Sequence, residues 1–102
     1  MIKVSVMYPN SEGVKFDTDY YKHTHLAMVS KACGETLKGM ELDLASKVSN
    51  VPAPYVAIAH LRFENLETFQ KAFGPHAETF AADLKNYSNV KGELQISELI
   101  TF

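Results

Sequence analysis

Four histidines, His23, His25, His60 and His76, carry most of the chemistry this chain could perform. Imidazole titrates near neutral pH, so it can act as acid, base or metal ligand. The segment after Asp17 has helical spacing. At ~100° per residue, Tyr21, His25, Met28, Val29 and Ala32 fall in one apolar stripe, and His23, Leu26 and Ser30 fall on the other side. His25 is thus aimed at the core and His23 at solvent. A histidine on an apolar stripe needs partners for its ring nitrogens, because burying them bare is costly. Two readings of His25 follow. It is a core histidine satisfied by backbone or by Tyr21, or it is a general acid/base in an apolar pocket. In the second reading Tyr21, one turn away, orients the ring or donates to an oxyanion.

The other candidates are weighed in the same way. His76 follows Gly74-Pro75 and shares a side with Ala77, Phe80, Leu84 and Tyr87. The start of a helix disfavours an imidazolium, so His76 reads as a cap or structural contact, with pocket contact as the alternative. His60 shares a sheet face with Val56 and Ile58 and points into either a pocket or a subunit interface. Glu98, between Ile96 and Ile100, needs a charged or hydrogen-bonding partner such as Arg62, a lysine or a histidine. A metal site is disfavoured. His23 and His25 diverge by ~200° on a helix, and the chain has neither His-Glu-x-x-His nor a cysteine pair. The five glycines stand singly, so no phosphate loop is present. Cys33 lies off the His25 stripe and reads as a small, partly buried thiol rather than a nucleophile.

The elements that must position these groups read β-α-β-β-α-β. Residues 2–8 alternate as a first strand, with Ile2, Val4, Val6 and Tyr8 on one face. Pro9 to Gly13 is turn chemistry. Asp17 caps a helix that runs to Cys33 and stops at Gly34. A strand is expected over 40–45, a loop over 46–54 and the strongest strand over 55–63. Asn65 caps a helix carrying Leu66, Phe69 and Phe73. Gly74-Pro75 breaks it, and a second piece is expected over 76–86. A last strand is expected over 93–102. This order predicts an α+β, ferredoxin-like βαββαβ sandwich. Apolar residues on both parities, Val56 and Ile58 against Leu61 and Phe63, call for cover on the outer sheet face. A second copy of the same sheet supplies it most cheaply, so a homodimer is expected.

Composition bounds the reading. The 102 residues suit a single domain spanning 1–102. Hydrophobic residues make up 46% and charged residues 22%, as in an ordinary globular protein. Ten basic against twelve acidic residues leave a net charge of -2 and no surplus to neutralise phosphates, so nucleic-acid binding is not expected. The lone cysteine suits a reducing cytoplasm. The first residues alternate where a signal peptide would run apolar, and no stretch approaches the ~20 apolar residues of a membrane span.

Phe16-Asp17-Thr18-Asp19-Tyr20-Tyr21 followed by His25 resembles the signature of the EthD-like family, named from ethyl tert-butyl ether degradation. Leu37-Lys38-Gly39-Met40-Glu41, Pro54-Tyr55-Val56-Ala57 with His60, Phe73-Gly74-Pro75-His76, Asp83 with Asn86-Tyr87, and Gln95-Ile96-Ser97-Glu98 follow in the same order. The family usually carries a proline two residues after the helix histidine; here that position is Ala27, and the helix near the pocket is freer of its restriction. The resemblance implies a ferredoxin-like fold paired into a dimeric α/β barrel. Relatives in that superfamily include cofactor-free monooxygenases, muconolactone isomerases and polyketide cyclases, several of which move protons with a histidine and a tyrosine.

Two functions are carried forward. One is a cofactor-independent enzyme acting on an aromatic, lactone or polyketide-like molecule, with His25 and Tyr21 catalytic. Tyr20, His60, Phe73, His76, Phe80 and Tyr87 would then hold the substrate, with Met28 and Phe69 completing the lining. The other is a non-catalytic binding or accessory protein that uses the same pocket for an apolar metabolite. Neither calls for a metal, flavin, haem or nicotinamide.

Overall fold

The computed structural model describes residues 1–48 and 50–102. Period-two alternation builds four strands: β1 (Ile2–Pro9), β2 (Gly39–Leu44), β3 (Tyr55–Phe63) and β4 (Glu93–Glu98). They form one antiparallel sheet in the order β2-β3-β1-β4. Two helical units cover one face. The first is α1 (Thr18–Tyr20), a π-helical turn (Tyr21–His25) and α2 (Leu26–Cys33). The second is α3 (Leu66–Phe73), a 3-10 turn (Gly74–His76), α4 (Ala77–Ala82) and a 3-10 turn (Asp83–Asn86). This is the α+β, ferredoxin-like βαββαβ arrangement that the pattern predicts. Ser49, in the loop expected over 46–54, lies outside the described residues.

The sheet register sorts the side chains between two faces. Val4 pairs with Leu61 and Val6 with Ala59, and these residues, with Tyr8, Ala57 and Phe63, face the helices. The alternate residues Ser5 and His60 pair with each other on the outer face. The helix-side core has two parts. Phe63, Phe69 and Phe80 pack with Val4, Val29 and Leu61, while Tyr8, Tyr21, Leu26 and Tyr87 pack over Ala57 and Ala59. The two alanines leave the room that the tyrosine rings fill.

Local signals explain the helix ends. The Asp17 side chain accepts a hydrogen bond from the Tyr20 N–H at 3.0 Å, satisfying an orphan donor of the first turn. Asn65 and Thr68 form a reciprocal capping box. Gly34 ends α2 with a φ of 57°, which a side chain would resist.

Three expectations are corrected. Leu26, placed on the solvent side by a regular helix, is buried. Its N–H bonds to the carbonyl of Tyr21, five residues back, so the turn holds one extra residue and both His25 and Leu26 swing inward. The helical piece expected over 76–86 begins at Ala77 and tightens to 3-10 at Asp83. The last strand stops at Glu98 instead of 102: its ladder with β1 ends at the Ile2–Glu98 pair, and the Leu99 N–H reaches the Met1 carbonyl at 2.9 Å. On the outer face, Met7, Ile58, Leu99 and Ile100 line a groove with Lys3, Ser5, His60, Gln95 and Ser97.

Phe63 is fully buried between sheet and helices. Phe63→Ala should lower the unfolding free energy by about 3–5 kcal/mol, measured by urea titration.

Candidate active site

The first helical unit supplies Tyr21 and His25 from the π-turn, and the second supplies Asp83 from its last turn. His25 Nδ1 lies 2.9 Å from Asp83 Oδ2. Asp83 Oδ1 accepts from the Tyr20 hydroxyl at 2.7 Å and from Asn86 Nδ2 at 2.9 Å. Burial alone would push the Asp83 carboxyl up. The hydrogen bonds from Asn86, Tyr20 and His25, together with the charge on His25, outweigh it and hold the carboxyl below its ordinary 3.8. An ionised carboxylate only accepts, so Nδ1 of a neutral His25 carries the proton and Nε2 keeps its lone pair. The same bond raises the Tyr20 hydroxyl.

Aromatic rings fix the imidazole plane. His25, 5% exposed, stacks on Tyr21 at 5.1 Å and 13°, and Tyr87 tilts over it at 4.7 Å. The hydroxyls of Tyr8 and Tyr87 meet at 2.9 Å. Burial holds the hydroxyls of Tyr8, Tyr21 and Tyr87 well above their ordinary range, so all three stay protonated and able to donate.

These groups open on a cavity of about 380 Å³ between sheet and helices. That volume suits a small organic ligand. Val6, Tyr8 and Leu61 form its floor, Tyr21, His25, Leu26 and Val29 one wall, and Phe73, Ala77, Phe80, Leu84 and Tyr87 the other. Lys91, Gly92 and Leu94 border it from the start of β4. His25 and Lys91 bring the basic nitrogens to a lining that is otherwise apolar apart from the tyrosine hydroxyls.

The structure brings His25, Tyr21, Phe73, Phe80 and Tyr87 together on this cavity. It does not bring the other candidates there. Tyr20 lies behind His25, on Asp83. His76 stacks on Phe80 at 5.9 Å without lining the cavity. Met28 and Phe69 pack in the core instead. His60 is on the opposite sheet face, because residue parity in β3 turns it away from Leu61. There its Nδ1 meets Ser5 Oγ at 2.9 Å and its Nε2 meets Asp43 Oδ2 at 2.8 Å. Glu98 also lies away from His25, and Arg62 pairs with Glu41 at 3.4 Å. Buried Cys33 has its thiol raised by desolvation. Among the described residues, no three His, Cys, Asp or Glu side chains converge to hold a metal ion.

The sequence places Asp83 in the family resemblance and Tyr8 on the inward face of the first strand, without a site role for either. Asp83 follows Phe80 by three residues and precedes Tyr87 by four, on the same helical stripe. A carboxylate there needs a partner for the reason that His25 does, and that coincidence was the available signal. Tyr8 shares the inward parity of Val4 and Val6.

An EthD-like protein from Ralstonia eutropha JMP134 has 34% sequence identity to this chain, covering 98% of this chain and 92% of its own, with a TM-score of 0.88. This chain belongs to the EthD-like family. An EthD family protein from Bacillus halodurans C-125, 18% identical over 98% of this chain and 99% of its own, shares the fold with a TM-score of 0.72. An Arabidopsis thaliana protein, 13% identical over 100% of this chain and 98% of its own, does so with a TM-score of 0.69. No family model and no curated protein matches the sequence. Among the described residues of this EthD-like chain, no helix is long and apolar enough to cross a membrane.

The lowered Asp83 carboxyl ties stability to pH. Its contribution is fully present above the ordinary 3.8 and is lost as pH falls through the lower folded-state value. Asp83→Asn removes that contribution, so the stability gap between wild type and variant should be widest above pH ~5 and shrink on acidification. Thermal melts across this range check it.

Proposed function

We propose that this EthD-like protein is a cofactor-independent enzyme that moves a proton on a flat, largely apolar small molecule of aromatic, lactone or polyketide type. The observation that carries the reading is the Asp83–His25 pair, which leaves Nε2 for the cavity that His25 lines. In the proposed cycle, Nε2 takes a proton from a carbon beside a carbonyl. The C–H electron pair moves onto the carbonyl oxygen, giving an enolate. Asp83 stabilises the imidazolium that forms, as a carboxylate behind a catalytic histidine does. A protonated tyrosine hydroxyl from Tyr8, Tyr21 or Tyr87 donates to the enolate oxygen. The imidazolium then returns the proton at another carbon of the conjugated enolate, giving an isomer; in a ligand with a second carbonyl, the enolate carbon instead bonds to that carbonyl carbon, its π pair moves onto oxygen, and the imidazolium protonates the resulting alkoxide of the ring-closed product. Only protein side chains take part in this scheme.

The catalytic roles of His25 and Tyr21 are retained from the sequence. Phe73, Phe80 and Tyr87 become the apolar holders of the substrate, and Tyr20 a positioning residue on Asp83. The chemistry proposed for the cavity has no role for His60 or His76. A second reading, a non-catalytic binding or accessory protein for an apolar metabolite, draws support from the Tyr8–Tyr87 hydroxyl pair, whose mutual bond uses one of the two hydroxyl protons without a ligand. A homodimer through the outer sheet face belongs to the proposal, supported by the groove that Met7, Ile58, Leu99 and Ile100 help to line. So does a cytoplasmic location, supported by the single buried thiol.

The test is a proton NMR screen of phenols, lactones, quinones and linear polyketide mimics. New product signals are expected with wild type. On the substrate found, His25→Ala should lower turnover by about 10²–10⁴-fold, in a protein that still unfolds cooperatively but melts below wild type because Asp83 loses a partner and the aromatic cluster a ring. Binding without product, equal in both proteins, supports the accessory reading and removes the acid/base role. Light scattering at micromolar concentration should give twice the chain mass; a monomer there contradicts the dimer.

A further inference from the structure

Lys91 is the one ammonium-bearing residue on the cavity, among the described residues. It is exposed and lines the cavity, so it stands where the cavity meets solvent. The ion pairs among the described residues do not involve it. The nearest acidic residue along the chain, Glu93, is directed to the Tyr55 hydroxyl, which it raises by its charge and hydrogen bond. Asp83 does not line the cavity, and three donors surround its carboxylate.

Gly92 explains how this segment reaches the cavity. A Cβ built there would lie 2.7 Å from Val6 Cγ1 and 3.0 Å from Tyr8 Cε1. The missing side chain lets the backbone beside Lys91 press onto the cavity floor. An otherwise apolar cavity with one cation at its mouth matches a ligand with an apolar body and an anionic oxygen at one end. On a chain with a net charge of -2, that local cation is what would draw such a ligand in.

We infer that Lys91 is a specificity-determining residue and that the cavity takes a flat apolar acid, its carboxylate at Lys91 and its apolar body toward His25. The inference rests on the proposed use of this cavity as the ligand site, and it names the ligand class. Lys91 acts on affinity and His25 on conversion.

The test compares two probes of nearly equal shape, naphthalene-2-carboxylate and naphthalene-2-carboxamide, by calorimetry at pH 8 and low salt. Wild type should bind the carboxylate about fivefold more tightly than the amide, the upper range for a partly exposed ion pair. The preference should shrink as sodium chloride is added. Lys91→Met keeps most of the apolar stem and should bind both probes equally, while Lys91→Arg restores the preference. His25→Ala should retain the preference, which separates an anion site at Lys91 from one at the imidazole. Equal binding of both probes by wild type, a preference that survives Lys91→Met or is lost in His25→Ala, or no binding of either probe overturns the inference. None of these results touches His25-dependent conversion of a substrate. Conversely, a protein that binds acids through Lys91 but converts nothing would fail the catalytic reading and keep this one.

Discussion

The hydrogen bond between Asp83 and His25 joins residues 58 positions apart in the chain and the two helical units that cover the sheet. His25 lies among aromatic rings, where an unpartnered ring nitrogen would be costly, and Asp83 supplies the partner. Tyr20 and Asn86 complete the shell around the carboxylate, so its charge is met from several sides. A pair held this way fixes which imidazole nitrogen carries the proton, and that choice decides what the cavity can do.

The rest of the fold serves that geometry. The π-turn places His25 and Leu26 together on the buried side, where a regular helix would have sent one of them outward. Ala57 and Ala59 on the central strand leave space above the sheet, and the rings of Tyr8, Tyr21 and Tyr87 occupy it. Those rings restrict the imidazole plane and keep the hydroxyls desolvated. The outer face is organised separately. Its cross-strand chain Ser5–His60–Asp43 uses both nitrogens of His60, so this histidine is bound into the sheet rather than offered to the helix-side cavity.

Much of the architecture was legible because alternation and capping are local. Period two located the strands, Asp17 and Asn65 marked helix starts, and Gly34 marked a stop. The order of elements then left the ferredoxin-like arrangement as the natural solution. His25 was legible as a polar residue on an apolar stripe. Its partner was not named, because pairing across the two helical units depends on how they pack on the sheet. Leu26 was misplaced because nothing in its neighbourhood announces a wide turn. The overlong last strand reflects a non-local limit, the end of the strand beside it. The face of His60 was left open by the sequence; it was settled by register, which puts it opposite Ser5.

Asp83 holds His25 in the tautomer with Nδ1 protonated and Nε2 free. Long-range nitrogen–proton NMR on labelled protein reads this directly, at a pH where the ring is neutral. In wild type a pyrrole-type Nδ1 and a pyridine-type Nε2 are expected for His25, with the assignment lost or mixed in Asp83→Asn. A proton on Nε2 in the wild-type protein would contradict it, since the cavity would then face a donor where the proposed chemistry requires a base.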